Sequence, residues 1–205
     1  MTESAPSAPR AVVIGASAGA VEALLHVLPQ LPRGYPLPVL VVVHVPPQRR
    51  NVLASLFAAR CPLDVREPDD KEPAAPGTIL FAPPDYHMLV EADRTISLSV
   101  EGPVQFSRPS IDVLFESAAD AYGPGLIGAV LTGANHDGAE GLAAVAAAGG
   151  MAIVQDPAQA AYPVMPEAAL ALTPSAERLT LDGLVRRLLA AGDRSSGNQA
   201  GEISR

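Results

Sequence analysis

Four apolar runs constrain this chain more than any other feature: Ala11 to Ile14, Val39 to Val43, Leu126 to Leu131 and Met151 to Val154. Each has the length of a strand and none alternates apolar with polar residues, the pattern of strands buried on both faces. Helix-period stretches follow them, at Val21 to Leu28, up to Arg60, at Gly138 to Ala148 and at Pro166 to Leu172. That order predicts an α/β fold, doubly wound, with a mostly parallel sheet and helices on both faces. Shorter strands at Leu63 to Arg66 and Thr78 to Ala82 extend the sheet, and His87 to Val100, alternating about Asp93-Arg94, predicts one antiparallel hairpin. Asn51 and Ser110 stand where they would cap the helices ending at Arg60 and Tyr122, and Leu181 to Ala191 predicts a last helix.

With 205 residues, one domain over 11–192 is expected, preceded by a disordered lead (1–10) and followed by a disordered tail (193–205), both small and polar in composition. The 14 basic against 22 acidic residues give a net charge of −8, which excludes the basic field of a nonspecific nucleic-acid binder. A single cysteine, Cys61, rules out an internal disulfide and fits a reducing compartment. Met1 to Arg10 has no apolar segment of a secretory signal, and no apolar run is long enough to span a bilayer. The chain reads as cytoplasmic, with no direct membrane insertion.

In a parallel sheet the reactive groups gather in loops beyond the carboxyl ends of the strands. Three such loops hold Ser17 (Gly15-Ala16-Ser17-Ala18-Gly19-Ala20), His44 (His44-Val45-Pro46-Pro47) and Asp137 (Thr132-Gly133-Ala134-Asn135-His136-Asp137-Gly138). A serine, a histidine and an aspartate at one edge are the inventory of a nucleophilic hydrolase. Small neighbours leave room at Ser17, and a following helix N-terminus offers N–H groups to an oxyanion. Each residue also has a plainer explanation: helix caps for Ser17 and Asp137, a buried hydrogen-bonded histidine for His44. His136 offers an alternative base beside Asp137. The Gly-x-x-x-Gly spacing at 15–19 does not make a dinucleotide fingerprint, and His26, His44, His87 and His136 show no paired metal-ligand spacing. No cofactor and no metal are expected. The order serine, histidine, aspartate also differs from the serine, acid, histidine of the α/β-hydrolases.

Taken together, VVIGASAGAVEAL, VVVHVPP, GTILFAPPDYHM, RPSIDVLFESAA, LTGANHDGAEGL and QDPAQAAYPVMPEAA, from about Val12 to Leu189, resemble the catalytic domain of the chemotaxis protein-glutamate methylesterases, the CheB family. The resemblance implies a largely parallel α/β sheet and hydrolysis of γ-glutamyl methyl esters on chemoreceptor cytoplasmic domains, releasing methanol, with deamidation of receptor glutamines as a second activity. It implies Ser17 as nucleophile, His44 as base and Asp137 as acid, with oxyanion donors in the backbone N–H groups of Ala18 and Ala134. Arg108 falls in a matched motif and is a candidate to steer an acidic receptor surface, although a loop arginine before a helix cap explains it equally. His87 and Met88 recur in the pattern, with packing the expected role. Ala20 and His136 depart from the family's glycine and asparagine. Family members usually carry a phospho-receiver domain, and none is expected in cis here. The alternatives are a noncatalytic docking module for receptor helices and an esterase of small soluble esters.

Overall fold

The computed structural model describes residues 8–44 and 52–202. Its strands are β1 (Ala11–Ala16), β2 (Val39–Val43), β3 (Asp64–Arg66), β4 (Thr78–Phe81), β5 (His87–Val90), β6 (Ile96–Ser99), β7 (Leu126–Val130), β8 (Met151–Gln155) and β9 (Glu177–Leu179). The helices are α1 (Ala20–Val27), α2 (Val52–Ala58), α3 (Ile111–Tyr122), α4 (Ala139–Ala147), α5 (Val164–Leu172) and α6 (Leu181–Glu202). Among the described residues, seven strands make one parallel sheet in the order β3-β4-β2-β1-β7-β8-β9, and β5 and β6 pair antiparallel in a sheet of their own.

The apolar runs lack alternation because both faces are covered. On β1 and β2, Val12, Ile14, Val39 and Val41 face one core, completed by Leu24 of α1, Phe57 of α2 and Leu188 of α6. Val13, Leu40 and Val42 face a second core, completed by Phe115 of α3, Leu142 of α4 and Met165 of α5, with Met88 of the hairpin. Burying each such side chain stabilises the fold by about 1.5–3 kcal/mol. A one-residue slip of β1 would exchange the side chains that meet each helix layer.

From β1 the chain crosses to β2 on one side, whereas β7 lies on the other. The strand order therefore reverses between β1 and β7, which is where a doubly wound sheet opens a crevice beyond its carboxyl edge. The N-terminus of α3 is packed into that crevice. A Cβ on Gly15 would lie 2.3 Å from Ile111 Cγ2, so only glycine lets α3 come this close to β1.

Three features differ from the sequence expectation. The edge strand β9 is polar and three residues long, too short to give a periodic signal. Helix α6 continues past Asp193 to Glu202, through the stretch expected as a tail. Gly192 packs against Tyr35, where a Cβ would lie 2.7 Å from the ring, and Ser195 is buried, so tertiary contact extends beyond the amphipathic part of the helix. At the other end, Arg10, assigned to the lead, already donates its N–H to the Gly125 carbonyl. Asn51 and Pro46-Pro47 lie outside the described residues.

Gly15→Ala is expected to lower stability by about 1–3 kcal/mol, the usual cost of overpacking. Combining it with Ile111→Ala, which removes the obstructing methyl, should cost less than the sum of the single changes. Urea unfolding of the four proteins in the cycle measures this, and strict additivity would mean that the two residues do not meet.

Candidate active site

Ser17 and His44 leave adjacent strands at the same level. Ala16 is opposite Val43 in the β1–β2 ladder, and the His44 N–H donates to the Ala16 carbonyl at 3.2 Å. On the other side of β1, the Ser17 N–H donates to the Thr132 carbonyl at 2.9 Å, fixing the serine turn to the loop after β7. Thr132 reinforces the junction, since its Oγ1 donates to the Ala18 carbonyl and accepts the Tyr162 N–H, each at 2.9 Å. Gly19, between this junction and α1, has φ +80°, and a Cβ there would lie 3.0 Å from Thr132 Oγ1 and from the Ala161 methyl. The turn thus requires glycine for its conformation as well as its space.

Asp137 has no solvent exposure. Its Oδ2 accepts from His44 Nε2 at 2.7 Å and from the Ile111 N–H at 2.7 Å. Its Oδ1 accepts from Ser110 Oγ at 2.8 Å and the Asp112 N–H at 3.0 Å. Ser110 does not cap its own helix with its side chain. It is held by His87, whose Nδ1 accepts the Ser110 N–H at 3.2 Å and whose Nε2 bonds the Gly102 carbonyl at 3.1 Å. His87 thus packs at the back of the site, as expected, and also sets the hydroxyl that Asp137 uses. Burial raises the Asp137 carboxyl, but the bonds from His44 and from the α3 amides outweigh it and hold the group below its ordinary range.

An ionised Asp137 accepts only, so His44 Nε2 carries the proton and Nδ1 is left with a lone pair. That lone pair meets Asn135, whose Nδ2 donates to Nδ1 at 2.9 Å. The amide's orientation is set by its other end, because Asn135 Oδ1 accepts the Asp137 N–H at 3.2 Å. Sequence reasoning missed this residue. Its only signal was its place two positions before Asp137.

His136 is exposed and makes no hydrogen bond to Asp137 among the described residues, so it is His44 that the aspartate orients. The backbone N–H groups of Ala18 and Ala134 have no partner among the described residues. Arg108 is not brought to this cluster. Its Nη1 donates to the Val100 and Glu101 carbonyls, each at 2.9 Å, and ties the loop between β6 and α3. Ser17 and His44 line a cleft of about 490 Å³ with Gly19, Ala20, Val21 and Leu25. A larger cavity of about 840 Å³ opens at the opposite edge, among Pro9, Gly125, Gly150, Glu177 and Arg194. Among the described residues no cluster of three or more His, Cys, Asp or Glu is gathered as a metal would require, and no helix is long and apolar enough to cross a membrane.

A family model for CheB methylesterase matches residues 12–188. The chain belongs to the CheB methylesterase family. A Leptospira interrogans protein is 43% identical to it over 163 residues, covering 80% of this chain and 84% of that protein. A protein-glutamate methylesterase/protein-glutamine glutaminase of Symbiobacterium thermophilum is 37% identical over 182 residues, and there the match covers 89% of this chain but 50% of the relative. The crystal structure of the Thermotoga maritima CheB methylesterase catalytic domain superposes with a TM-score of 0.85 at 29% identity, covering 90% of this chain and 99% of that one. The seven-stranded parallel sheet with its separate antiparallel pair is the CheB catalytic-domain fold.

In this CheB domain two aspartates exchange helix caps. Asp137, just before α4, binds the amides that open α3, while Asp112, inside α3, accepts the Gly138 and Gly141 N–H groups that open α4, at 2.8 and 2.7 Å. Burial and the Asp137 charge push the Asp112 carboxyl up to about 7, against the pull of the Gly141 and Gly138 amides. A carboxyl raised on folding holds its proton to higher pH in the native state than in the unfolded chain. Its contribution to stability is therefore full below about 4 and is lost as pH rises toward 7. Asn at 112 does not titrate and escapes that loss. Thermal unfolding of the wild type and of Asp112→Asn between pH 5 and 8 should show the Tm difference moving in favour of the variant as pH rises. A constant difference would mean that Asp112 stays ionised throughout.

Proposed function

We propose that this chain hydrolyses the γ-methyl esters of glutamate side chains in chemoreceptor-like proteins, with Ser17 as nucleophile, His44 as base and Asp137 as the acid that orients it. The observation that carries the reading is the Asp137–His44 pair at 2.7 Å, set beside a serine on the neighbouring strand end. Ser17 Oγ attacks the ester carbonyl and His44 takes its proton. The oxyanion forms within reach of the Ala18 and Ala134 N–H groups, which have no partner among the described residues. Collapse breaks the C–OCH3 bond, His44 returns the proton to the leaving oxygen, and methanol departs. Water, deprotonated by His44, then cleaves the acyl-enzyme and leaves a glutamate.

The buried, ionised Asp137 stabilises the imidazolium that forms in both steps, and the N-terminus of α3 stabilises Asp137 in turn. A cleft with a half-exposed Val21 at its wall suits a side chain presented by a protein surface. Relatives of this family bear names with two activities, methylesterase and glutaminase, and the same steps with ammonia as leaving group would convert a glutamine. The chain's acidity, −8 overall, gives no support to nucleic acid as a partner.

Mass spectrometry of a methylated receptor cytoplasmic domain, before and after incubation, should show loss of methyl groups. Ser17→Ala and His44→Ala should each lower kcat by roughly 10³-fold or more, and the double variant should lose little further, because the two act as a unit. His136→Asn should keep most of the activity. Wild-type turnover in Ser17→Ala would remove the serine mechanism, and equal turnover on free methyl esters and on receptor would make the protein a small-ester hydrolase.

A further inference from the structure

Asn135 occupies an atom that the proposed reaction needs. Asp137 holds Nε2 of His44, so Nδ1 is the nitrogen that must take the proton of Ser17, and Nδ1 is where the Asn135 amide donates at 2.9 Å. Once Nδ1 is protonated it becomes a donor, and two donors cannot face each other. The amide hydrogen is then released, while Oδ1 remains anchored on the Asp137 N–H.

The nearest acceptor to that released hydrogen is set by the chemistry of the next step. To receive its proton, the leaving atom must come within hydrogen-bond distance of Nδ1, roughly 3 Å. A group in that place lies beside Asn135 Nδ2. The leaving atoms of the two reactions differ in how many acceptor pairs they have. A methoxy oxygen has two lone pairs, one to take the proton from Nδ1 and one to accept from Asn135. An amide nitrogen in the tetrahedral intermediate has one lone pair, which the proton from Nδ1 uses, and its own N–H groups then face the asparagine donor. A donor left facing other donors, without an acceptor, is unfavourable.

We infer that Asn135 is a specificity-determining residue whose amide donates to the departing oxygen, so that this site favours glutamate methyl esters over glutamine amides. The inference rests on the esterase reading above and names which of the two leaving groups the site is built for. The bonds balance in both cases: the acyl carbon loses its bond to oxygen or nitrogen, the imidazolium gives up one proton, and methanol or ammonia leaves.

The test uses the full chain and three helical peptides that differ only in one side chain: a glutamate γ-methyl ester, the corresponding γ-methylthioester and glutamine. Sulfur is a weak acceptor and so loses little when the donor is removed. Asn135→Ala and Asn135→Gly should each lower kcat on the oxygen ester by about tenfold with KM within twofold. The same variants should change the thioester by less than twofold and be no slower than the wild type on glutamine. Equal losses on ester and thioester would show a general structural role for Asn135, and an unchanged ester rate would show none. Either result overturns the inference while Ser17-dependent turnover remains. Turnover that is absent in the wild type, or unchanged in Ser17→Ala, removes the esterase reading itself.

Discussion

A carboxylate withdrawn from water persists as an anion only where fixed donors replace its hydration, and Asp137 has four: Ser110 Oγ, the Ile111 and Asp112 amides and His44 Nε2. Two of the four are main-chain groups at the opening of α3, so the position of that helix decides whether the site exists. The helix is brought there by a missing side chain at Gly15, and Asp112 returns the favour by capping α4. The charge that orients His44 is therefore stabilised by the same contacts that pack two helices against the sheet. Local chemistry and global fold agree, which is the condition under which a buried polar network is specific rather than costly.

The ring nitrogens of His44 have the opposite assignment to the serine protease template, in which the acid binds Nδ1 and the serine faces Nε2. Here the acid binds Nε2 and Nδ1 faces the asparagine. The reversal follows from where the imidazole starts. His44 leaves the end of a central strand and Asp137 leaves the loop after β7, two strands away, so the ring is approached by the acid from its far end. A triad is recognised by what each group does, and in the proposed reaction exchanging the two nitrogens preserves those roles.

Much of this was legible in the sequence. Strands buried on both faces cannot alternate, so Val39–Val43 and Leu126–Val130 declared a covered parallel sheet, and the rule that ligands gather at the carboxyl edge then selected Ser17, His44 and Asp137. What stayed hidden depends on three-dimensional contact. Ser110 looked like a cap for its own helix and serves Asp137 instead. The sequence could not show that Nη1 of Arg108 bonds two backbone carbonyls of its own loop. Asn135 and Asp112 are polar residues in unremarkable places until the strand order brings their partners within 3 Å. The C-terminal stretch misled for a related reason: polar composition argues against a packed core, yet α6 continues to Glu202 and Ser195 is buried.

The central claim is that a buried, ionised Asp137 fixes the proton of His44 on Nε2 and leaves Nδ1 as the base. Nitrogen-15 NMR of histidine-labelled protein measures this directly in the resting state. The account predicts that, of the neutral ring forms, His44 populates the Nε2–H tautomer, with its Nε2 proton shifted downfield by the carboxylate. Ser17→Ala should leave that signature unchanged, and Asp137→Asn should abolish it. An Nδ1–H tautomer in the wild type, or a signature unaffected in Asp137→Asn, would contradict the account.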